Sequence, residues 1–221
     1  MNIPEWAPIL ISIKTALAAT LITFGLGIAA ARWLMRMDGW RRSLLDGIFL
    51  LPLLLPPPVL GLLLLALFGK NGPLGMLFNA FGLSVVFSWP ATVIAAVTVA
   101  FPFMYLAART AFERIDPTLV MAARTLGVSD IKIFWRVTFP AAWPGIAAGI
   151  ALSFARSFGE FGATLMLAGN NPGKTQTIPL AVYFALTDGH PEKTVILIFV
   201  ALTFSLLSLL ALNVRNRRPV C

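Results

Sequence analysis

No charged residue occurs between Lys70 and Arg109, and comparable charge-free apolar runs cover residues 15–31, 47–69 and 194–214. A helix needs about 20 consecutive apolar residues to cross the hydrocarbon of a bilayer, and runs of this length recur along the whole chain. The first extends back through Trp6–Ile13, interrupted only by Lys14, whose long stem can carry its ammonium to an interface. Charged residues make up 12% of the 221 positions and hydrophobic ones 58%. Soluble domains carry about 25% charged residues, so water is not the solvent for most of this surface. The expectation is an all-α polytopic membrane protein, a single domain over 1–221 with about five transmembrane helices. They are placed near 9–31, 47–68, 86–108, 143–168 and 194–214, with the lipid bilayer as first partner.

The placement of basic residues sets an orientation. Arg32, Arg36, Arg41 and Arg42 lie between the first two spans, Arg109, Arg114, Arg124, Lys132 and Arg136 between the third and fourth, and Arg215, Arg217 and Arg218 after the fifth. The opposite side has Lys70, Lys174 and Lys193, with Lys14 near the first interface. Cytoplasmic loops collect Lys and Arg, which puts the N-terminus outside and the C-terminus in the cytoplasm. The same rule accounts for the net charge of +8 without any nucleic-acid partner. Glu5 stands where a signal peptide has a basic region, so the first segment is expected to remain as a helix. The one cysteine, Cys221, can form no internal disulfide.

Two segments are irregular. The second span contains Pro52 and the run Pro56-Pro57-Pro58, which removes backbone donors; broken helices persist in lipid only where protein or a wet cavity covers them. It is either a kinked helix packed on its neighbours or a segment lining a pathway. Residues 175–187 are mostly apolar but too short to span, and read as an interfacial or re-entrant helix on the outer face.

The basic stretch 109–141 carries the densest pattern. Asp116-Pro117 is a helix-start signal. Leu119, Ala122, Ala123 and Leu126 then fall on one apolar stripe, and Gly127 supplies a left-handed end. Ser129 is placed to cap a second short helix with Ile131, Phe134 and Trp135, ended by Pro140 and Pro144 before the fourth span. The spacing Ala122-Ala123-x3-Gly127-x9-Val137-x-Phe139-Pro140 resembles the EAA loop of ABC importer permeases, with Met121 at the family's acidic position. The resemblance implies a cytoplasmic helix-turn-helix coupling loop that docks on a separate ABC ATPase dimer, in the fold of type I importer permeases.

In the fourth span, Arg156 and Glu160 are the acid–base pair inside a predicted span, four residues apart and so on one helix face. Charges in hydrocarbon pair or face water. Either they form a structural bridge to a neighbouring helix, or they border a path or its gate, where Gly159 and Gly162 would let helices pack closely and slide. The segment Ser153-Phe-Ala-Arg156-Ser-Phe-Gly159-Glu160-Phe-Gly162-Ala163 is similar to the A-R-x-x-G-E-F-G-A segment of molybdate and sulfate permeases. The outer stretch Asn171-Pro172-Gly173-Lys174-Thr175 with Thr177-Ile178-Pro179, and the Leu-Pro-x3-Pro-Pro run, resemble the molybdate branch of that family. That implies a periplasmic oxyanion-binding protein, a second permease copy and a bacterial inner membrane. Molybdate is the expected solute, with sulfate, thiosulfate or tungstate as alternatives.

Other signals carry less. Gly173-Lys174-Thr175 is like the end of a phosphate-binding loop, but the required first Gly would fall at Ala168. His190, the sole histidine, lies in no cluster with metal-ligand spacing, and neither a metal, a cofactor nor a catalytic constellation is expected. Trp6, Trp40, Trp89 and Trp143 near span ends fit an aromatic belt. An ion-coupled carrier is the alternative transporter class, but it buries several ionisable groups near the midplane, and here Glu160 alone qualifies.

Overall fold

Every element of the computed structural model is helical among the residues it describes, 6–189 and 191–216. From the N-terminus, α1 (Ala7–Leu34) takes up the first apolar run, and α2 (Gly39–Leu54) and α3 (Pro57–Phe68) divide the second. A short α4 (Pro73–Ala80), not anticipated from the sequence, precedes α5 (Trp89–Glu113). Helices α6 (Pro117–Thr125) and α7 (Asp130–Ile133) occupy the basic stretch, and a π-helical turn, Phe134–Thr138, leads into α8 (Phe139–Phe158). Then come α9 (Gly162–Ala168), α10 (Ile178–Thr187) and α11 (Pro191–Asn216). By length and apolarity α1, α5 and the 130–158 segment each suffice to cross a membrane, and the bent pair α2–α3 is a fourth candidate. The expected fifth span, 194–214, falls within α11. Glu5, His190, Arg217, Arg218 and Cys221 lie outside the described residues.

Several expectations need correction or sharpening. The second span, expected to be irregular, is broken outright: α2 and α3 meet at 113°. Leu55 and Pro56 each precede a proline and are extended, with ψ of 140° and 134°, because the following ring excludes the helical region. The fourth span is likewise divided, between Phe158 and Gly162. Conversely, Pro140 and Pro144 do not end the short helix after Ser129. Residues 130–158 form one unbroken 29-residue helix. The wider π-helical turn before Pro140 accommodates a ring that would clash with the preceding carbonyls of a regular helix. Ser129 makes no side-chain cap bond. The helix read at 175–187 begins only at Ile178, with Pro179 in its first turn.

The core lies where α5 packs between α1 and α8. Ala16, Ala19 and Ala31 of α1 and Ala91, Ala95, Ala96, Ala100 and Ala108 of α5 are buried, small residues that let backbones approach in lipid. Helices α8 and α5 approach closely. A Cβ on Gly145 would sit 2.6 Å from Ala111 Cβ, and one on Gly149 would sit 2.7 Å from Ala107 Cβ. Several polar groups buried in this packing satisfy each other. The Thr15 and Thr92 hydroxyls lie 3.1 Å apart, and the Ile178 amide donates to Ser12 Oγ at 2.8 Å, tying α10 to α1.

Candidate functional site

Two groups of residues stand at opposite ends of the 130–158 helix. The first is the knuckle formed by α6 and the turn after it. Asp116 accepts a 2.9 Å hydrogen bond from the Thr118 amide, satisfying one donor of the first turn. That bond holds its carboxyl below the usual carboxylate range. At the other end of α6, Gly127 has φ +72°. Its amide donates to Arg124 O at 2.9 Å and the Val128 amide donates to Ala123 O at 3.2 Å, the paired closure that a left-handed residue makes possible. Arg124 and Asp130 pair at 3.0 Å across the turn.

The apolar stripe on α6 is uncovered. No residue of α6 is buried; Leu126 is 82% exposed and Leu119 52%. Ala122 and Gly127 are also exposed and Ala123 is half-buried. Of the other motif residues, Val137 lies in the π-helical turn, and Phe139 and Pro140 open α8. Val137 and Phe139 are half-buried. The motif therefore marks one continuous knuckle, with α6 outermost and the π-helical turn beneath it. The Arg32 guanidinium lies 3.8 Å from the centroid of the Phe134 ring, a cation–π contact that ties the end of α1 to this knuckle.

The second group lies at the break between α8 and α9. Glu160 is 2% exposed. Its Oε2 pairs with Arg156 at 2.7 Å and its Oε1 accepts from the Ala163 amide at 2.8 Å. One carboxylate thus neutralises the arginine and caps α9. The glycines beside it are of different kinds: Gly159 is exposed, whereas Gly162 is buried. A Cβ on Gly162 would sit 3.0 Å from Pro58 Cδ and 3.1 Å from Pro57 Cβ. The break in α8–α9 therefore lies directly against the proline break of α2–α3, and α3 packs along α9. Each broken segment covers the other, as backbone irregularity within lipid requires. Ser153 is separate from this group, buried against α5 with its hydroxyl 3.5 Å from Ala100 O.

A third set escaped the sequence reading. Arg42 pairs with Glu113, Arg109 with both Glu113 (3.0 Å) and Asp46, and the Tyr105 hydroxyl donates to Asp46 Oδ1 at 2.7 Å. This network joins α2 to α5 just before the knuckle. Only the Arg109–Glu113 spacing of four residues was a local signal. Among the described residues, no group of three or more His, Cys, Asp and Glu is placed to hold a metal ion. The segment resembling a phosphate-binding loop is a closed turn, in which the Lys174 and Thr175 amides donate to Asn171 O at 3.0 and 2.9 Å.

Comparison with known proteins places this geometry. A molybdenum transport system permease protein, ModB, of Haemophilus influenzae is 45% identical over 208 residues, covering 93% of this chain and 91% of that protein. A "Probable sulfate transport system permease protein cysT" of Chlorokybus atmophyticus is 34% identical, covering 92% of this chain and 71% of that protein. Among solved structures, the inward-facing MetNI methionine ABC transporter superposes with a TM-score of 0.71 at 16% identity, over 93% of this chain and 91% of that one. Residues 23–219 match the family described as binding-protein-dependent transport system inner membrane component. A match of that extent, on a helical fold shared with importer permeases, shows that the chain belongs to this family of ABC transporter permease subunits.

Proposed function

We propose that this chain, as one of two copies about a two-fold axis, forms the pathway for molybdate across the bacterial inner membrane. Its N-terminus lies outside and its C-terminus in the cytoplasm. As a permease subunit it is not itself an enzyme: ATP hydrolysis lies in a separate subunit, and a periplasmic binding protein is the other partner. Membership of this family removes the ion-coupled alternative. Molybdate is preferred over sulfate because the more similar relative is the one named for molybdenum transport.

The observation that carries the reading is the uncovered stripe of α6, with Leu119 and Leu126 exposed at the knuckle. Ala122, Ala123 and Gly127 keep the face small enough for another protein to approach, while Val137, Phe139 and Pro140 root it in the 130–158 helix. That helix is about 40 Å long at 1.5 Å per residue and runs unbroken from Asp130 to Phe158. An ATPase dimer closing on α6 would move it as a lever, and its far end carries Arg156 and the Glu160 break. In this reading Arg156, Gly159, Glu160 and Gly162 border the gate, with Ser153 about one turn before them against α5, and Arg156 and Glu160 hold its shape rather than grip the anion. A tight site midway would slow transit.

The test is ATP-dependent uptake by the reconstituted transporter with its binding protein and ATPase, using molybdate against sulfate and tungstate. Molybdate uptake should be saturable and little affected by excess sulfate; uptake of sulfate in preference would overturn the assignment. A Cβ on Gly127 would meet nothing within 4 Å, but its φ of +72° strains any side chain, so the variant of choice is Ala122→Trp on the exposed face of α6, which should insert and fold yet lose uptake and uncouple ATP hydrolysis. Normal transport in that variant, or labelling of a Leu126→Cys variant (with Cys221→Ser) from outside the cell, would refute the coupling role.

A further inference from the structure

A shallow groove of about 670 Å³ runs along the C-terminal half of α1, opposite the start of the 130–158 helix. Its walls are apolar, with Phe24 and Ile28 on one side and Trp135 and Phe139 on the other, and its rim holds Arg32 and Arg36. From Phe24 to Arg36 the helix rises about 18 Å, close to the roughly 15 Å of a single hydrocarbon leaflet. The groove is therefore apolar for the depth of one leaflet and cationic where that leaflet ends. Exposed Trp33 and Trp135 flank the cationic end, at the level where indole rings sit in membranes.

The two arginines have no anion of their own. They stand one turn apart on the same face, where like charges repel, and Asp130, which attracts Arg32, is already paired with Arg124. The ion pairs among the described residues lie elsewhere: Arg42 with Glu113, Arg109 with Asp46 and Glu113, Arg124 with Asp130, and Arg156 with Glu160. The Arg32 guanidinium is held over the Phe134 ring, which fixes it at the rim without neutralising it. We propose that this groove binds one anionic phospholipid, its phosphate between Arg32 and Arg36 and an acyl chain along Phe24 and Ile28. A free oxyanion would satisfy the charges but leave the apolar walls unused, whereas a phospholipid matches both. Because Phe134 belongs to the π-helical turn under α6, the lipid would brace the knuckle against α1.

The proposal rests only on α1 crossing a membrane, not on the solute or on sidedness. The assembled transporter is reconstituted in nanodiscs of phosphatidylcholine containing a photoactivatable phosphatidylglycerol or, separately, a photoactivatable phosphatidylcholine; both faces of the disc are alike. The phosphatidylglycerol probe should label peptides spanning 24–36 and 131–139 well above the phosphatidylcholine probe. Arg32→Gln and Arg36→Gln should each lower that labelling about fivefold, the effect of one basic residue near an anionic surface. Ile28→Trp, which fills the groove and leaves both arginines, should lower it too. Equal labelling by the two probes, or undiminished labelling in the variants, would overturn the proposal. So would loss of labelling on adding inorganic phosphate, which marks a free-anion site, or no labelling of the groove in the assembled complex, which marks a protein partner.

Discussion

The Tyr105 hydroxyl of α5 donates a 2.7 Å hydrogen bond to Asp46 Oδ1 of α2, and Tyr105 is wholly buried. Asp46 in turn pairs with Arg109. The half of the second apolar run that precedes the proline break is thereby fixed to the central helix, while the half beyond it packs on α9. Asp46→Ala would leave Arg109, 23% exposed, with Glu113 alone. Losing the charge-assisted hydrogen bonds of a partly exposed carboxylate costs about 2 kcal/mol, and Tyr105→Phe about 1 kcal/mol. Thermal unfolding of the purified transporter should rank Asp46→Ala below Tyr105→Phe below wild type. Equal stabilities would show that the network does not hold α2.

Glu160 has two partners on two oxygens, and this gives a sharp prediction. Glu160→Ala should destabilise by about 3 kcal/mol, through the unpaired Arg156 and the uncapped α9. Exchanging the charges, Arg156→Glu with Glu160→Arg, should fail to restore stability. An arginine cannot accept the Ala163 amide that Glu160 now caps at 2.8 Å. Full recovery in the exchanged variant would show that the cap contributes nothing.

The α5–α8 interface leaves no room for a side chain at Gly149, where a Cβ would fall 2.7 Å from Ala107 Cβ and 3.1 Å from Met104 Sδ. Gly149→Ala should cost about 1–3 kcal/mol of overpacking, with Gly149→Leu preventing assembly. Ala107→Gly should partly rescue Gly149→Ala, because it removes the atom that collides. Protease resistance of the inserted chain reads both effects, and an unchanged Gly149→Leu would mean that α5 and α8 do not approach this closely.

Acid should fray the knuckle from its first turn. The backbone hydrogen bond from Thr118 depresses the Asp116 pKa. The carboxylate cap is therefore fully in place above the ordinary carboxylate range and is lost as pH falls through the depressed folded value. Amide exchange of residues 118–120, corrected for intrinsic pH effects, should accelerate between neutral pH and about pH 3. Asp116→Asn should abolish that dependence while keeping most of the protection at neutral pH. The same acceleration in the variant would assign the effect to another group.

Some of this was legible in one dimension. Apolar run length identified a polytopic helical protein, and Asp116-Pro117 and Gly127 marked both ends of α6, because a cap and a left-handed residue act on their own turn. Local rules failed at Pro140 and Pro144, where a widened turn and the packed surroundings of α8 hold one helix across residues that would end it in isolation. The Gly145-x3-Gly149 spacing was a readable sign of close helix packing, but nothing in it named α5 as the partner. What only the tertiary structure decided is which helices meet. The proline break lies against the Glu160 break, Asp46 reaches Tyr105 and Arg109, and Arg32 reaches Phe134. These are contacts between residues far apart in the chain, set by how small side chains let helices approach rather than by any neighbour in sequence.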